Sequence, residues 1–459
     1  MFAHLSTSAA RWFQRWLPDP LVFAVLLTVV AAASAVAVGA RPLEVVEAWY
    51  SGFWLLLEFG MQMVLILATG YAIALSPSVS RLIDRLATRI TSPGAVYATV
   101  LIVGALLNLV SWGWVVLAAV LGRELALRVR GVHYPFLVAC AFFSSASWVA
   151  GLSSTIPLLL NTPGNFLVEA GLLDRTIPMS MTLLSPLNLI VALVYVVVGP
   201  VVMWLLRPRH DIVEMVDLEA TGDRDDTTTV AEEATELSAN PPTPSDRLNG
   251  CQIVQLFAVA MGCVAIVLYF ARHGAELNLN IMIFVFLVLG MALHRTPIRY
   301  VVAMRRACAN LSGIVFQYPF YAGIMGIMIG TGLAQTLAEW IASTASLAAM
   351  PAVAFVLAAA VNFSIPSAGG EWAVIGPPLI EAMRELAGAD LHRHVARVAM
   401  AAAYGESLTN LLQPFFLLVV LPVMGAGLRI QARDVVGFFF VPFLVLFAVI
   451  GLLVTFVPI

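Results

Sequence analysis

Asn362-Phe-Ser-Ile-Pro-Ser-Ala-Gly-Gly-Glu-Trp372 interrupts an otherwise apolar stretch, and its reading decides the fold. Asparagine, serine, proline and glycine break a helix here, inside a chain of 459 residues that is 61% hydrophobic and 11% charged. In lipid, non-helical backbone survives only where protein buries it or where it lines a polar cavity, because no water is present to satisfy N–H and C=O groups. The first half carries a matching interruption, Asn108-Leu-Val-Ser-Trp-Gly113. Each is followed about 35 residues later by a second polar break, Ser144-Ser-Ala-Ser-Trp148 and Gly405-Glu-Ser-Leu-Thr-Asn410, and such pairs in corresponding positions point to a transporter's midplane site.

The mean hydropathy of +0.94 excludes a soluble globular domain. Many apolar runs reach the ~20 residues that span a bilayer, and the alternation of an outer-membrane barrel is absent. The sequence reads as an all-α polytopic membrane protein. Met1 to Pro20 carries Arg11, Trp12, Phe13, Arg15 and Trp16, the pattern of an interfacial N-terminal helix, not of a cleaved signal peptide. Full spans are expected at 21–39, 53–75, 134–160, 185–206, 251–272, 279–294, 311–333, 395–423 and 436–458. The segments 93–127 and 350–386 each read as two apolar arms around a break. An arm of roughly 15 residues is only ~22 Å long, short of a ~30 Å hydrocarbon core. Both are therefore expected to be re-entrant hairpins with tips near the midplane, and 134–160 and 395–423 to be broken transmembrane helices.

Arginine placement orients this arrangement. All 24 cationic residues are arginine. With the N-terminus cytoplasmic and both hairpins returning to their own side, about three quarters of them fall inside, as the positive-inside rule asks. The two halves are then inverted repeats. The expected order is scaffold helices over 21–92, a transport domain over 93–206 with hairpin 93–127, an acidic cytoplasmic linker over 207–250, scaffold over 251–349, and transport domain over 350–459 with hairpin 350–386. The linker, rich in acid and threonine and ending in Pro241-Pro-Thr-Pro244, reads as a flexible connector.

The tips and breaks supply the candidate site. Asn108, Ser111, Gly113, Asn362, Ser364, Ser367, Gly369 and Gly370 offer side-chain carbonyls, hydroxyls and close-approach backbone. Helix N-termini at the tips would attract an anion. Ser144, Ser145 and Ser147 lie in one broken span and Asn410 in the other, while Trp112 and Trp372 flank the tips as an apolar wall for a short alkyl group. Small residues also serve plain helix packing, which accounts for one such cluster more easily than for four in matched pairs. Ionisable residues inside spans are functional candidates by default. Glu371 and Glu406, with Ser407 and Thr409, are the candidates for ion or proton coupling; Glu58 sits near a span end and faces water on this reading. No arginine falls at midplane depth. An anionic substrate would then be held by helix ends and hydroxyls instead of a salt bridge.

Several chemistries find no support. There is no basic stripe for nucleic acid. The four cysteines form no CxxC pair and read as buried thiols. His392-x-His394 has no ligand partners nearby, so no metal site and no cofactor are expected beyond a coupling ion, H⁺ or Na⁺. An integral membrane enzyme would need a nucleophile elbow or an HExxH helix, and neither occurs. An open channel would not require two matched hairpins.

At these motifs the chain resembles the bacterial short-chain fatty acid transporter family of the acetoacetate/butyrate uptake type, nearly end to end. The shared elements are Trp16-Leu-Pro-Asp-Pro20, Phe59-Gly-Met-Gln-Met63, Trp112-Gly113, Thr162-Pro-Gly-Asn165, Pro319-Phe-Tyr-Ala-Gly-Ile324, Asn362-Phe-x-x-Pro-Ser367, Gly376-Pro377, Ala403-Tyr-Gly-Glu406 and Gln413-Pro-Phe415. The resemblance implies uptake of short monocarboxylates across the bacterial inner membrane, elevator-type movement of a transport domain, and a homodimer. Against the family pattern, Glu371 stands where a histidine is usual, Ile375 where a glutamine is, and Ser144-Ser-Ala-Ser147 replaces a glycine-rich run. The chain is also similar to the wider ion-transporter superfamily, and a di- or tricarboxylate/Na⁺ symporter of that superfamily is the alternative; it would call for more positive charge at the site.

Overall fold

The computed structural model describes residues 20–218, 229–238, 241–309 and 311–459. The interfacial helix expected at the N-terminus lies outside these residues except at Pro20. Among the described residues every regular element is helical. Six helical stretches are long and apolar enough to cross a membrane, or seven if Val315–Gly330 and Leu333–Thr344, bent by 74°, form one. Among the described residues, five of the six, or six with the bent pair, fall on the nine full spans expected; the remaining one, Pro93–Val110, was expected only as a hairpin arm and is itself long enough to cross. Three expected spans are not in this set: the helix at 21–39, whose described apolar part is Ala24–Ala37, and two others with a clear physical reason. Leu279–His294 has only 16 residues, and Leu391–Thr409 carries Arg393, Arg397 and Glu406, which make it polar for a span. Both nevertheless form continuous helices.

Proline opens many of these helices, at Pro42, Pro77, Pro93, Pro186 and Pro297. Its fixed φ suits the first turn, where its missing N–H has no partner to lose. Ser92, Ser185 and Asn278 cap three helices by accepting from backbone N–H groups of the first turn.

The same element order occurs twice. Leu57–Ala74, Pro77–Ala87, Pro93–Val110, Val115–Arg128 and Tyr134–Ser144 are matched by Ser312–Gly330, Leu333–Thr344, Met350–Val361, Ala368–Ala387 and Leu391–Thr409. In both halves the short amphipathic helix packs on the second arm, and the long helix packs on the interrupted segment. The arms themselves differ. Pro93–Val110 and Val115–Arg128 pack against each other as a hairpin. Met350–Val361 instead lies along Leu391–Thr409, while Ala368–Ala387 packs on Leu333–Thr344 and Ser312–Gly330. The second pair of arms is therefore splayed. Gly405 allows this: a Cβ there would fall on the carbonyl oxygen of Phe355, so the two helix backbones nearly touch.

Contacts at the two ends place the loops. At one end, Arg123 donates to the carbonyls of Val423 (2.5 Å) and Ala426 (3.0 Å), and the Tyr134 hydroxyl donates to Met424 O at 2.6 Å. At the other, Arg384 donates to Leu172 O at 2.8 Å and Arg397 to Thr455 O at 2.7 Å.

The linker departs from the flexible connector expected of it. Tyr134 N donates to Val213 O at 2.8 Å, Gly131 N to the Glu214 carboxylate at 2.7 Å, and Arg429 N to Leu218 O at 2.7 Å. Further on, a Thr229 capping box starts the short helix Val230–Glu236. Its Val230 and Ala234 are buried with Val302 and Ala303, and Glu233 pairs with Arg306. One apolar face and one ion pair suffice to seat a segment that composition alone assigns to solvent.

Candidate functional site

The first interruption and the first break form one cluster. Pro93–Val110 runs helically through Asn108, whose side-chain nitrogen donates to Gly104 O at 2.8 Å. The chain then turns extended at Ser111 and enters a 3-10 turn over Trp112–Trp114. Trp112 N donates to the Ser153 hydroxyl at 2.9 Å, and Leu152 N donates to Leu109 O at 2.7 Å, so the opened tip is stitched to the opened span. Gly113 is needed because a Cβ there would meet the backbone at Gly70 and Tyr71.

Tyr134–Ser144 ends where expected, in 3-10 turns over Ser145–Ala150. Its hydroxyls do not point to a donor role. Ser144 donates to Ala141 O at 2.7 Å, Ser145 to Phe142 O at 2.7 Å and Ser147 to Ala105 O at 2.8 Å. A hydroxyl has one proton; with it spent, these three serines present lone pairs, which suit a cation better than a carboxylate.

The second cluster is tighter. The Asn362 side-chain nitrogen lies within hydrogen-bond distance of Glu406 O (2.8 Å), Thr409 Oγ1 (2.8 Å) and Asn410 Oδ1 (2.6 Å), and Gln413 donates to Asn362 O at 2.9 Å. The break in this span begins later than Gly405. Leu391–Thr409 is helical throughout, and the 3-10 turns start at Asn410. Gly405 serves close packing, and Glu406 and Ser407 sit on intact helix. Ser367 caps Ala368–Ala387 by accepting from Gly370 N, and its hydroxyl donates to the Tyr318 oxygen at 3.1 Å. Gly369 and Gly370, read from the sequence as close-approach backbone, are covered by aromatic rings: Phe59 and Tyr318 over Gly369, Tyr321 over Gly370. Ser364 is half-buried at the turn.

Two carboxylates stand out. Glu371 and Glu406 are each 1% exposed; neither Glu371 oxygen has a hydrogen-bond partner, and the Glu406 carboxylate adjoins the Asn410 side chain without a well-formed hydrogen bond. Glu371 lies within electrostatic reach of Glu406. At the tips and breaks, the other buried polar atoms without a well-formed hydrogen bond are Ser111 Oγ, Ser154 Oγ, Trp372 Nε1, Asn108 Oδ1 and Asn362 Oδ1; a further group, including Ser76 Oγ, His294 Nδ1 and Thr296 Oγ1, lies away from them. Ser407 Oγ and the Tyr195 hydroxyl adjoin without a well-formed hydrogen bond. Each such group costs roughly 1–3 kcal/mol, and those gathered at the tips and breaks around the two carboxylates suit a ligand.

The clusters are joined by Asn188, which sequence reading passed over. It donates to Ala150 O at 3.0 Å and Leu183 O at 2.8 Å, and accepts from the Tyr404 hydroxyl at 2.8 Å. Tyr318, Tyr195 and Ser153 also belong to the site's surround. A lone asparagine two residues into a proline-led helix has no sequence signature; the tyrosines are hidden among many apolar aromatics. Glu58 is exposed and accepts from Gln62 at 3.2 Å, as its span-end position suggested. Among the described residues no cluster of His, Cys, Asp and Glu could hold a metal ion.

Comparison with known proteins decides the family. The model of the short chain fatty acid transporter family matches residues 1–457. The chain belongs to the short-chain fatty acid transporter family. Two relatives, both named "Putative short-chain fatty acid transporter", agree. That of Escherichia coli K12 is 36% identical over 441 residues, covering 95% of this chain and 96% of the relative. That of Haemophilus influenzae Rd is 32% identical over 446 residues, with the same coverages. Two solved structures share the fold of this transporter. The Alcanivorax borkumensis YdaH transporter superposes with a TM-score of 0.60 at 17% identity, over 95% of this chain and 98% of that one. Neisseria gonorrhoeae MtrF, described as illuminating a class of antimetabolite efflux pumps, gives 0.55 at 16% identity, over 96% and 97%. This family member is thus a multi-pass membrane transporter, not an enzyme.

Proposed function

We propose that this transporter takes up short monocarboxylates such as acetoacetate or butyrate across the bacterial inner membrane, coupled to H⁺ through Glu371. The observation that carries the coupling is the pair of buried carboxylates at the second tip and second broken span, neither of which has an ion-pair partner among the described residues. Two bare carboxylates in a low-dielectric interior cost several kcal/mol each without a compensating cation, and a bound cation would offset that. The substrate carboxylate would be held by the free donors Ser111, Ser154 and Trp372 Nε1 and by the N-terminal turn of Ala368–Ala387. Trp372 and Trp112 would wall its alkyl end. Among the described residues no ion pair joins an arginine to Glu371 or Glu406, which favours one negative charge on the substrate over two or three.

Na⁺ is the second reading, favoured by the oxygens of Asn362, Thr409 and Asn410 packed beside Glu406. The repeated element order supports two repeats, and the arginine placement supports their inversion with the N-terminus cytoplasmic. Movement of 93–206 with 350–459 against the remaining helices, elevator-fashion, and assembly as a homodimer complete the proposal.

Uptake into proteoliposomes over a panel of C2 to C6 acids, with Na⁺ and pH varied separately, tests it. Accumulation of C4 acids driven by a pH gradient is expected. Uptake that prefers citrate or succinate, or that runs without either ion gradient, overturns it. Counterflow of labelled substrate separates a carrier from a channel.

A further inference from the structure

Asn188 uses its whole side chain to hold two separate parts of the site at fixed distance. Its nitrogen donates to Ala150 O, the last carbonyl of the 3-10 stretch that carries Ser145 and Ser147, and to Leu183 O. Its oxygen accepts from the Tyr404 hydroxyl at 2.8 Å. Tyr404 is fully buried and stands two residues before Glu406 on the same helix. Asn188 itself is 1% exposed. Its amide therefore has no water to exchange with, and any shift of the Tyr404 turn must pull on Ala150 or break a buried hydrogen bond.

We infer that Asn188 and Tyr404 are positioning residues that transmit occupancy of the carboxylate site to the serine-bearing break of the first half. This rests on the cation-coupled reading above. A cation arriving at Glu371 or Glu406, which lie within electrostatic reach of each other, would shift the helix that carries both Glu406 and Tyr404; the bridge delivers that shift to the Ala150 carbonyl and so to the first-half break. The titratable groups around the bridge are Tyr195 and Glu406. Coupling between two sites is a free energy shared by both ligands, so it is measured as a change in one ligand's affinity on saturation with the other. Position between two sites is not itself proof of coupling, and the test must read the coupling and not the affinity.

Butyrate binding to the purified full chain in nanodiscs is measured calorimetrically in ion-rich and ion-poor buffer, with H⁺ and Na⁺ varied in turn. The coupling factor is the ratio of the two dissociation constants. For the unaltered chain it should fall in the range of about 5- to 150-fold usual for allosteric pairs. Tyr404→Phe removes one oxygen and is expected to keep ion-rich affinity within about threefold while its coupling factor falls towards one. Asn188→Ala should do the same, and if it does not fold, Tyr404→Phe decides alone. An unchanged coupling factor in Tyr404→Phe overturns the bridge while leaving cation coupling intact. An unaltered chain indifferent to both ions overturns cation coupling and the bridge together.

Discussion

The side-chain nitrogen of Asn362 lies 2.8 Å from the backbone carbonyl of Glu406. One amide at the second tip thus holds the turn that presents the buried carboxylate, while its own oxygen has no partner. Asn362→Ala is expected to lower uptake at least about tenfold, roughly 1.4 kcal/mol of barrier, with normal expression. Asn108→Ala should do likewise, since Asn108 Oδ1 is also buried and free. Initial rates in proteoliposomes check both. Near-normal rates in the two variants would assign these residues to packing alone.

Glu371→Gln keeps the shape of the carboxyl group and removes its exchangeable charge. It should abolish accumulation driven by a pH gradient and leave exchange of labelled for unlabelled butyrate largely intact. If the variant accumulates substrate with the pH dependence of the unaltered protein, Glu371 does not carry the proton.

Gly405→Ala places a methyl group on the Phe355 carbonyl, where Met350–Val361 crosses Leu391–Thr409. Overpacking of this kind costs about 1–3 kcal/mol. A lowered melting temperature in detergent is expected, with Gly94→Ala as the comparison, since a Cβ at Gly94 would meet nothing nearer than the Trp204 ring nitrogen at 3.8 Å. Equal melting of Gly405→Ala and the unaltered chain would show that the two helices can separate without loss.

Orientation can be read at Ser238, an exposed residue just beyond the short helix seated on Pro297–Cys308. In a chain made otherwise cysteine-free, Ser238→Cys should resist a membrane-impermeant maleimide in intact cells and react after permeabilisation. Efficient labelling in intact cells would place the linker outside and reverse the proposed topology.

The interruptions at Asn108–Gly113 and Asn362–Trp372 were legible because polar, helix-breaking residues are costly in lipid and stand out against an apolar background. So was the break after Ser144. The end of the second broken helix was not: Gly405 reads as a breaker, yet in a crowded helix crossing the missing side chain is what the neighbour requires. The splayed second pair of arms was also hidden, since a hairpin and two diverging helices share one hydropathy profile. Asn188 escaped because its role depends on Tyr404, 216 positions away, and no local pattern records such a pair. Seating of the linker turned on Val230, Ala234 and one ion pair, too few residues to shift a composition dominated by acid.

The two attachments of that linker have a mechanical consequence. Leu218 is fastened beside Arg429, and Val230 beside Val302. Twelve peptide steps separate them, and an extended chain covers at most ~3.6 Å per residue, so the tether reaches roughly 40 Å and no further. Its two ends are fixed to the groups of helices proposed to slide past one another. The covalent leash therefore sets an outer bound on their travel for as long as both ends stay fastened, and a stroke that demanded more would have to peel one end away first.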